Sequence, residues 1–144
     1  MLFIFYEKER IPMIVLYDSL TGQVKRFADR LGYQSENIKT YQLQEQKPMF
    51  LVTRSFNFGE VSRESSAFLD KYHHLVVGVA VSGNRNWGTN YGAAGDKIQK
   101  KYGIPLVLKF EASGLPNDVT FVKKWLENYN QKNRKAKGQN HGNV

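Results

Sequence analysis

The sequence predicts an α/β domain built on a parallel sheet covered on both faces. Three observations predict it. Apolar runs recur along the chain at MIVLY (13–17), MFLVTRSF (49–56), LVVGVAVSG (75–83) and PLVLKFE (105–111). Amphipathic segments of helical period stand between them. The run at 75–83 is apolar almost without a break, the mark of a strand buried on both faces. Alternation of such strands with helices makes the sheet parallel, because each helix carries the chain back over it.

The elements follow in order. MIVLY is the first strand, and DSLTG breaks it. QVKRFADRLG (23–32) sets Val24, Phe27, Ala28 and Leu31 at helical spacing and closes on Gly32, a C-cap residue. NIKTYQL (37–43) alternates imperfectly, as a partly exposed edge strand would. Residues 44–48 are too few for a crossover helix, so an irregular connection is expected before the third strand, 49–56. SRESSAFLDKY (62–72) reads as a helix with Ser62 as N-cap and Phe68, Leu69 and Tyr72 inward. The fourth strand is 75–83. YGAAGDKIQKKYG (91–103) is the next helix, with Ala94, Ile98 and Tyr102 on one side. The fifth strand is 105–111. NDVTFVKKWLENYN (117–130) sets Val119, Val122, Trp125, Leu126 and Tyr129 at helical spacing behind Asn117 or Asp118 as cap. The folded domain is therefore expected over 13–130, with an N-terminal extension at 1–12 and a basic, disordered tail at 131–144.

Composition narrows the function. The chain has 144 residues, enough for one domain with one sizeable core. It has no Cys, which excludes a disulfide frame, a thiol redox centre and a thiolate metal site. Of its three His, His73 and His74 are adjacent and His141 lies in the tail, a poor basis for a metal site. No apolar run approaches the roughly 20 residues of a membrane span. The start of the chain lacks the basic opening and small-residue cleavage site of a secretory signal, so a cytoplasmic protein is expected. Lys132, Arg134, Lys135 and Lys137 place +4 of the +8 net charge in the tail, which holds no acid. The tail reads as solubilising, or as touching an acidic partner or nucleic acid.

In an open parallel sheet, ligands bind beyond the carboxyl ends of the strands. The loops there read DSLTGQ, TRSFNFGEVS, SGNRNWGTNYG and EASGLPND, the most polar, Gly-bearing and aromatic loops of the chain. In the first, the hydroxyls of Ser19 and Thr21 and the free N–H groups of a helix start suit a phosphate. Leu20, Gly22 and Gln23 complete that loop. It has no Lys of a Walker loop and no GxGxxG fingerprint. A Thr N-cap with Gly in the turn would explain the same residues. The second loop exposes Phe56 and Phe58 beside Asn57 and Gly59, both tolerant of positive φ. It forms either a wall against a flat ring or a loop with one Phe packed beneath it. In the third, Trp87 and Tyr91 can stack on a planar ligand, and Asn84 and Asn86 can bond a heterocycle's edge. Gly83 and Gly88 allow close approach. The alternative makes Trp87 a core anchor. Four such loops at one sheet edge point to a planar, phosphate-bearing cofactor. Glu60, Glu111 and Asp118 read as caps or rim charges. Ser19 lacks the G-x-S-x-G setting of a nucleophile.

These residues resemble the NrdI family, flavodoxin-like accessory proteins of class Ib ribonucleotide reductase. The resemblance spans about residues 13–130 and rests on DSLTGQVKRF, the NFGEV loop, SGNRNWGTNYGAAGDKI and KFEASGLPNDV. SGNRNWG followed by AAGDKI is its most specific part. The resemblance implies a flavodoxin-like three-layer sandwich, a five-stranded parallel sheet of order 2-1-3-4-5 and one bound FMN. By position, Ser19, Leu20, Thr21, Gly22, Gln23 and Val24 match the phosphate loop. Ser55, Phe56, Asn57, Phe58 and Gly59 match the loop beside the isoalloxazine. Ser82, Gly83, Asn84, Asn86, Trp87, Gly88 and Tyr91 match the second flavin loop. Gln23 stands where the family usually has Asn, and Ser62 where Pro is common, which predicts a looser loop before it. Residues 1–12 have no counterpart.

The implied role is reduction of dioxygen to superoxide. The oxidant would pass to the dimanganese site of the reductase's small subunit and support formation of its tyrosyl radical. The partners implied are that small subunit, dioxygen and a separate electron donor. Such a protein is a redox activator rather than an enzyme with a substrate of its own. A generic flavodoxin electron carrier shares the fold and cofactor. A basic nucleic-acid-binding module is the alternative from another class.

Overall fold

The computed structural model describes residues 13–43 and 46–142, those from 134 onward in backbone alone. The sheet comprises β1 (Ile14–Tyr17), β2 (Gln34–Asn37), β3 (Met49–Phe56), β4 (Glu60–Val61), β5 (Val76–Gly83) and β6 (Leu106–Glu111). Its helices are α1 (Gln23–Asp29), α2 (Arg63–Tyr72), α3 (Ala93–Tyr102) and α4 (Pro116–Gly142). Strand order is β2-β1-β3-β5-β6, parallel throughout. That is the expected five-stranded order 2-1-3-4-5. The addition is β4, two residues that return antiparallel on β3.

Alternation along the strands explains the three layers. Val15, Tyr17, Phe50, Val52, Ala80 and Phe110 face one way and pack with Val24 and Phe27 of α1 and Val122 and Leu126 of α4. Ile14, Leu16, Met49, Leu51, Val79 and Val81 face the other way, toward Phe68 and Leu69 of α2 and Ala94 and Ile98 of α3. Both faces of the central strands are thus apolar, as the unbroken run at 75–83 predicts. The Phe27 and Phe110 rings stack at 4.1 Å between centroids, locking α1 to β6. Trp125 of α4 lies close over β5, and a Cβ on Gly78 would meet it at 2.8 Å.

Three boundaries differ from expectation, each for a local reason. The edge strand is Gln34–Asn37, not 37–43. Asn37 ends it: its Oδ1 accepts from Lys39 N–H and its carbonyl accepts from Thr40 and Tyr41 N–H, turning the chain. At α4 the expected side-chain cap is a reach-back. Asp118 accepts from Leu115 N–H at 2.8 Å while Pro116 takes the first helical position, where its missing N–H costs nothing. At the far end, α4 runs on past residue 130. It continues to Gly142, because Lys132, Arg134, Lys135, Ala136 and Lys137 are helix formers and no Pro follows. Ser62 caps α2 as expected, its Oγ accepting from Ser65 N–H at 3.0 Å. Ser62 is fully buried and fastened to Asp18. Residues 1–12, and residues 44 and 45 of the 44–48 connection, lie outside the described residues.

At the opposite end of the sheet from the polar loops, Tyr102 Oη donates to Asp70 Oδ1 at 2.5 Å. Partial burial, the bond to Asp70 and that carboxylate's charge push the phenol up to about 12. The folded chain therefore holds this proton more tightly than the unfolded chain does. The associated stability is complete below about pH 10 and is lost as pH rises through about 12. Tyr102→Phe is expected to flatten the decline in stability over that window, measured by urea unfolding at successive pH values. A decline as steep as that of the unaltered chain would show that the bond stabilises nothing.

Candidate functional site

The carboxyl ends of β1, β3, β5 and β6 open into one cleft of about 530 Å³, a volume typical of small-molecule sites. Leu20, Thr21, Gln23 and Val24 line it after β1, and Arg54 and Ser55 at the end of β3. Ser82, Gly83, Asn84, Asn86 and Trp87 line it after β5, Glu111 and Ala112 after β6. All four loops singled out in the sequence therefore contribute. Of the sequence candidates, Ser19, Gly22, Phe56, Asn57, Phe58, Gly59, Gly88 and Tyr91 do not line the cleft itself.

Several of these shape it from behind. Ser19 Oγ accepts from Gly22 N–H at 3.0 Å, drawing the first loop into a tight turn. Gly22, at φ 91°, is the N-cap of α1, and no side chain caps that helix. Thr21 is thus not the cap. It is exposed, and its hydroxyl has no hydrogen-bond partner among the described residues, so it is available to a ligand. Since α1 has only seven residues, its dipole is small, and an anion here would depend on the loop's hydroxyls and N–H groups.

The second loop is the turn of the β3–β4 hairpin, with Ser55 opposite Val61 and Phe56 opposite Glu60. Asn57 (φ 51°) and Gly59 (φ 110°) both adopt the left-handed region. Neither Phe packs beneath the turn: Phe56 is 45% exposed and Phe58 70%. The Phe58 ring instead meets Trp87 edge-on, 5.9 Å between centroids. Gly59 is buried against the next loop, where a Cβ would lie 2.6 Å from the Asn90 carbonyl oxygen and 2.9 Å from Ala93 Cβ.

The third loop winds through a short helical segment, Arg85–Asn90, broken at Gly88 (φ 57°, ψ −121°). Asn84 is part of its own turn, Oδ1 accepting from Asn86 N–H at 2.9 Å and its carbonyl from Trp87 N–H at 3.0 Å. That leaves the Asn84 amide nitrogen and the Asn86 side chain to face a ligand. Trp87 is half-buried at the wall, not a core anchor. The Tyr91 hydroxyl is buried without a partner, under the Arg85 guanidinium 5.5 Å from the ring centroid.

Three groups that sequence reasoning passed over hold the cleft together. Glu111 is not merely a rim charge. It accepts from Arg85 N–H at 3.0 Å and pairs with Arg85 Nε at 3.1 Å, clasping the third loop to the end of β6. Ala112, at φ 52°, turns its carbonyl to accept from Ser82 Oγ at 3.3 Å. Beneath the first loop, buried Asp18 accepts from Ser62 Oγ, from Ser65 Oγ at 2.9 Å and from Arg54 Nε at 3.3 Å. The signal available in sequence was an acid closing one apolar strand and an arginine near the end of another. Nothing in one dimension shows that the two meet.

Among the described residues no helix is long and apolar enough to cross a membrane, and no cluster of His, Asp and Glu is placed to hold a metal.

Comparison with known proteins matches residues 15–124 to the family model described as NrdI flavodoxin-like. The chain is 38% identical over 113 residues to Protein NrdI of Bacillus licheniformis, covering 78% of this chain and 86% of that one. It is 44% identical over 114 residues to Protein NrdI of Macrococcus caseolyticus, covering 74% and 83%. Among solved structures, the Fusobacterium nucleatum flavodoxin bound to flavin mononucleotide superposes with a TM-score of 0.60 at 14% identity. That match covers 84% of this chain and 98% of the flavodoxin, a likeness of fold.

Proposed function

Because the chain belongs to the NrdI flavodoxin-like family, we propose that it binds FMN in this cleft and reduces dioxygen to superoxide. The oxidant passes to the dimanganese site of the class Ib ribonucleotide reductase small subunit and supports tyrosyl-radical formation there. A separate electron donor keeps the protein reduced, and the binding unit is residues 13–130. The observation that carries the reading is the convergence of four loops on one cleft, with unpartnered Thr21 on one wall and Trp87 on another. That donor set fits a flat ring bearing a phosphate ester. The flavodoxin of like fold described above is itself bound to flavin mononucleotide.

When bound, the flavin supplies the one-electron chemistry. The residues supply everything else. Thr21 and the Ser19–Gly22 turn would take the phosphate. Trp87, braced edge-on by Phe58, offers an aromatic face worth about 0.5–1.5 kcal/mol beyond burial. The amides of Asn84 and Asn86 bond the ring's polar edge. The Asn57-Phe58-Gly59 turn, in the left-handed region at both ends, would supply the peptide that bonds the ring as its protonation changes. Leu20, Phe56 and Phe58 form an exposed apolar rim against which the small subunit would close.

The cofactor is expected to be FMN, one per chain. Mass spectrometry of the material released by heat decides this. FAD, or no flavin retained after reconstitution with FMN, would sink the reading. A colourless protein that bound oligonucleotides with steep salt dependence would favour the nucleic-acid alternative instead. Within the site, Thr21→Val keeps shape but deletes the hydroxyl. FMN is expected to weaken by roughly 1–3 kcal/mol while riboflavin, which has no phosphate, barely changes. Equal losses by titration would assign Thr21 to folding.

A further inference from the structure

The phosphate loop carries no cation, and among the described residues lining the cleft only Arg54 is positively charged. Its placement is unusual for a strand residue. The guanidinium lies over the ends of β1 and β3, with Nε on Asp18 Oδ1 at 3.3 Å and Nη2 on Glu64 Oε2 at 3.2 Å. The side chain is 16% exposed, Asp18 only 1%. Asp18 is itself fixed by Ser62 and Ser65, and Ser65 by Thr53 at 2.6 Å, so the network roots in β1, β3 and α2 together. Two of the five guanidinium N–H groups are thereby occupied. Nη1 has no hydrogen-bond partner among the described residues.

We propose that Arg54 is a specificity-determining residue of this site. It supplies the charge-assisted hydrogen bond to a phosphomonoester dianion that the loop 19–23 cannot supply for want of a basic side chain. The inference deepens the FMN reading and rests on it. Arginine suits the task because its planar fork can bond carboxylates on one edge and a phosphate on another. Anchoring by Asp18 means that little side-chain freedom is lost when the ligand arrives. Glu64 opposes it. This carboxylate lies in the first turn of α2, is 38% exposed, and holds part of the guanidinium charge away from the ligand. Ser62 enters through the same network: it bonds the carboxylate that aims Arg54, and a proline there has no hydroxyl to do so.

The ratio of riboflavin to FMN dissociation constants isolates the phosphate. Both flavins share the ring and ribityl chain, so a change in folding or ring packing moves both constants and leaves the ratio alone. Fluorescence titration of the stripped, refolded full chain with each flavin reads it. In Arg54→Met the ratio is expected to fall by about tenfold or more, and the salt dependence of FMN binding to weaken. In Glu64→Gln, a partly exposed change that the fold tolerates, the ratio is expected to rise severalfold. A ratio unchanged in Arg54→Met, or unchanged or lowered in Glu64→Gln if the former does not fold, overturns the inference. Failure of the unaltered chain to bind FMN at all sinks the FMN reading, and this inference with it. FMN binding in the unaltered chain with unmoved ratios overturns this inference alone.

Discussion

Asp18→Ala is expected to lower the stability of the fold by about 3–5 kcal/mol, the usual effect of removing one partner from a buried ion pair. The carboxylate is 1% exposed and receives hydrogen bonds from Ser62, Ser65 and Arg54. Its loss leaves the Ser62 hydroxyl and a guanidinium edge without an acceptor, each a desolvated donor that water no longer serves, while Ser65 can turn to Thr53. Arg54 keeps Glu64, which places the effect toward the lower end of that range. The consequence reaches the site because Ser19 follows Asp18 directly, so the phosphate loop loses the anchor at its root. Asp18→Asn keeps the volume and one acceptor oxygen, and is expected to cost less. Urea unfolding of the three chains checks the order. A midpoint in Asp18→Ala within error of the unaltered chain would show that the network is incidental.

The second large effect is Gly59→Ala. Conformation alone argues for about 1–2 kcal/mol, since φ is 110° and an added Cβ is strained there. Packing adds to it. The new methyl group would lie 2.6 Å from the Asn90 carbonyl oxygen and 2.9 Å from Ala93 Cβ, in backbone and helix that cannot swing aside. Overpacking of that kind adds about 1–3 kcal/mol. The strain is relieved by parting the β3–β4 turn from the segment that carries Trp87, so flavin affinity falls along with the melting temperature. Asn57→Gly is the control. At φ 51° it removes a Cβ from the same turn without touching Asn90, and is expected to leave stability nearly unchanged. Equal behaviour of the two variants in thermal unfolding would refute the packing argument. Gly59→Ala is consequently a poor probe of flavin potential by itself, because it displaces the loop as well as biasing a peptide.

The architecture was legible because burial on two faces leaves a one-dimensional trace. Val79 and Ala80 are adjacent and both fully buried, on opposite faces, and only a central strand explains that. The β2 boundary was not legible for a different reason. The apolar residues at 38, 41 and 43 mimic a strand, but Tyr41 packs edge-on against Phe68 and Tyr72 from a turn set by Asn37. Alternation cannot see a side chain that bonds its own backbone. The far end of α4 was not legible because the residues past 130 are polar, while Lys and Arg are as helix-forming as they are soluble.

At the site, loop chemistry exposed the contributing segments, since Gly, Asn and aromatic residues stand out beyond buried strands. The residues that clasp those loops did not stand out. Asp18 and Arg54 lie 36 residues apart, and Glu111 and Arg85 lie 26 apart. Each pair meets only because the parallel register sets their strand ends side by side. Arg54, read as part of a loop, is a cleft residue for that reason alone.

Superoxide delivery to the small subunit is tested by tyrosyl-radical formation. The FMN-loaded protein is reduced without air, mixed with the manganese-loaded class Ib small subunit and exposed to dioxygen. Electron paramagnetic resonance then follows the radical. A radical signal is expected that requires both the reduced protein and dioxygen, in proportion to the flavin supplied. No signal above that given by dioxygen alone, from a protein shown to hold FMN, would contradict it and leave an electron carrier of the same fold.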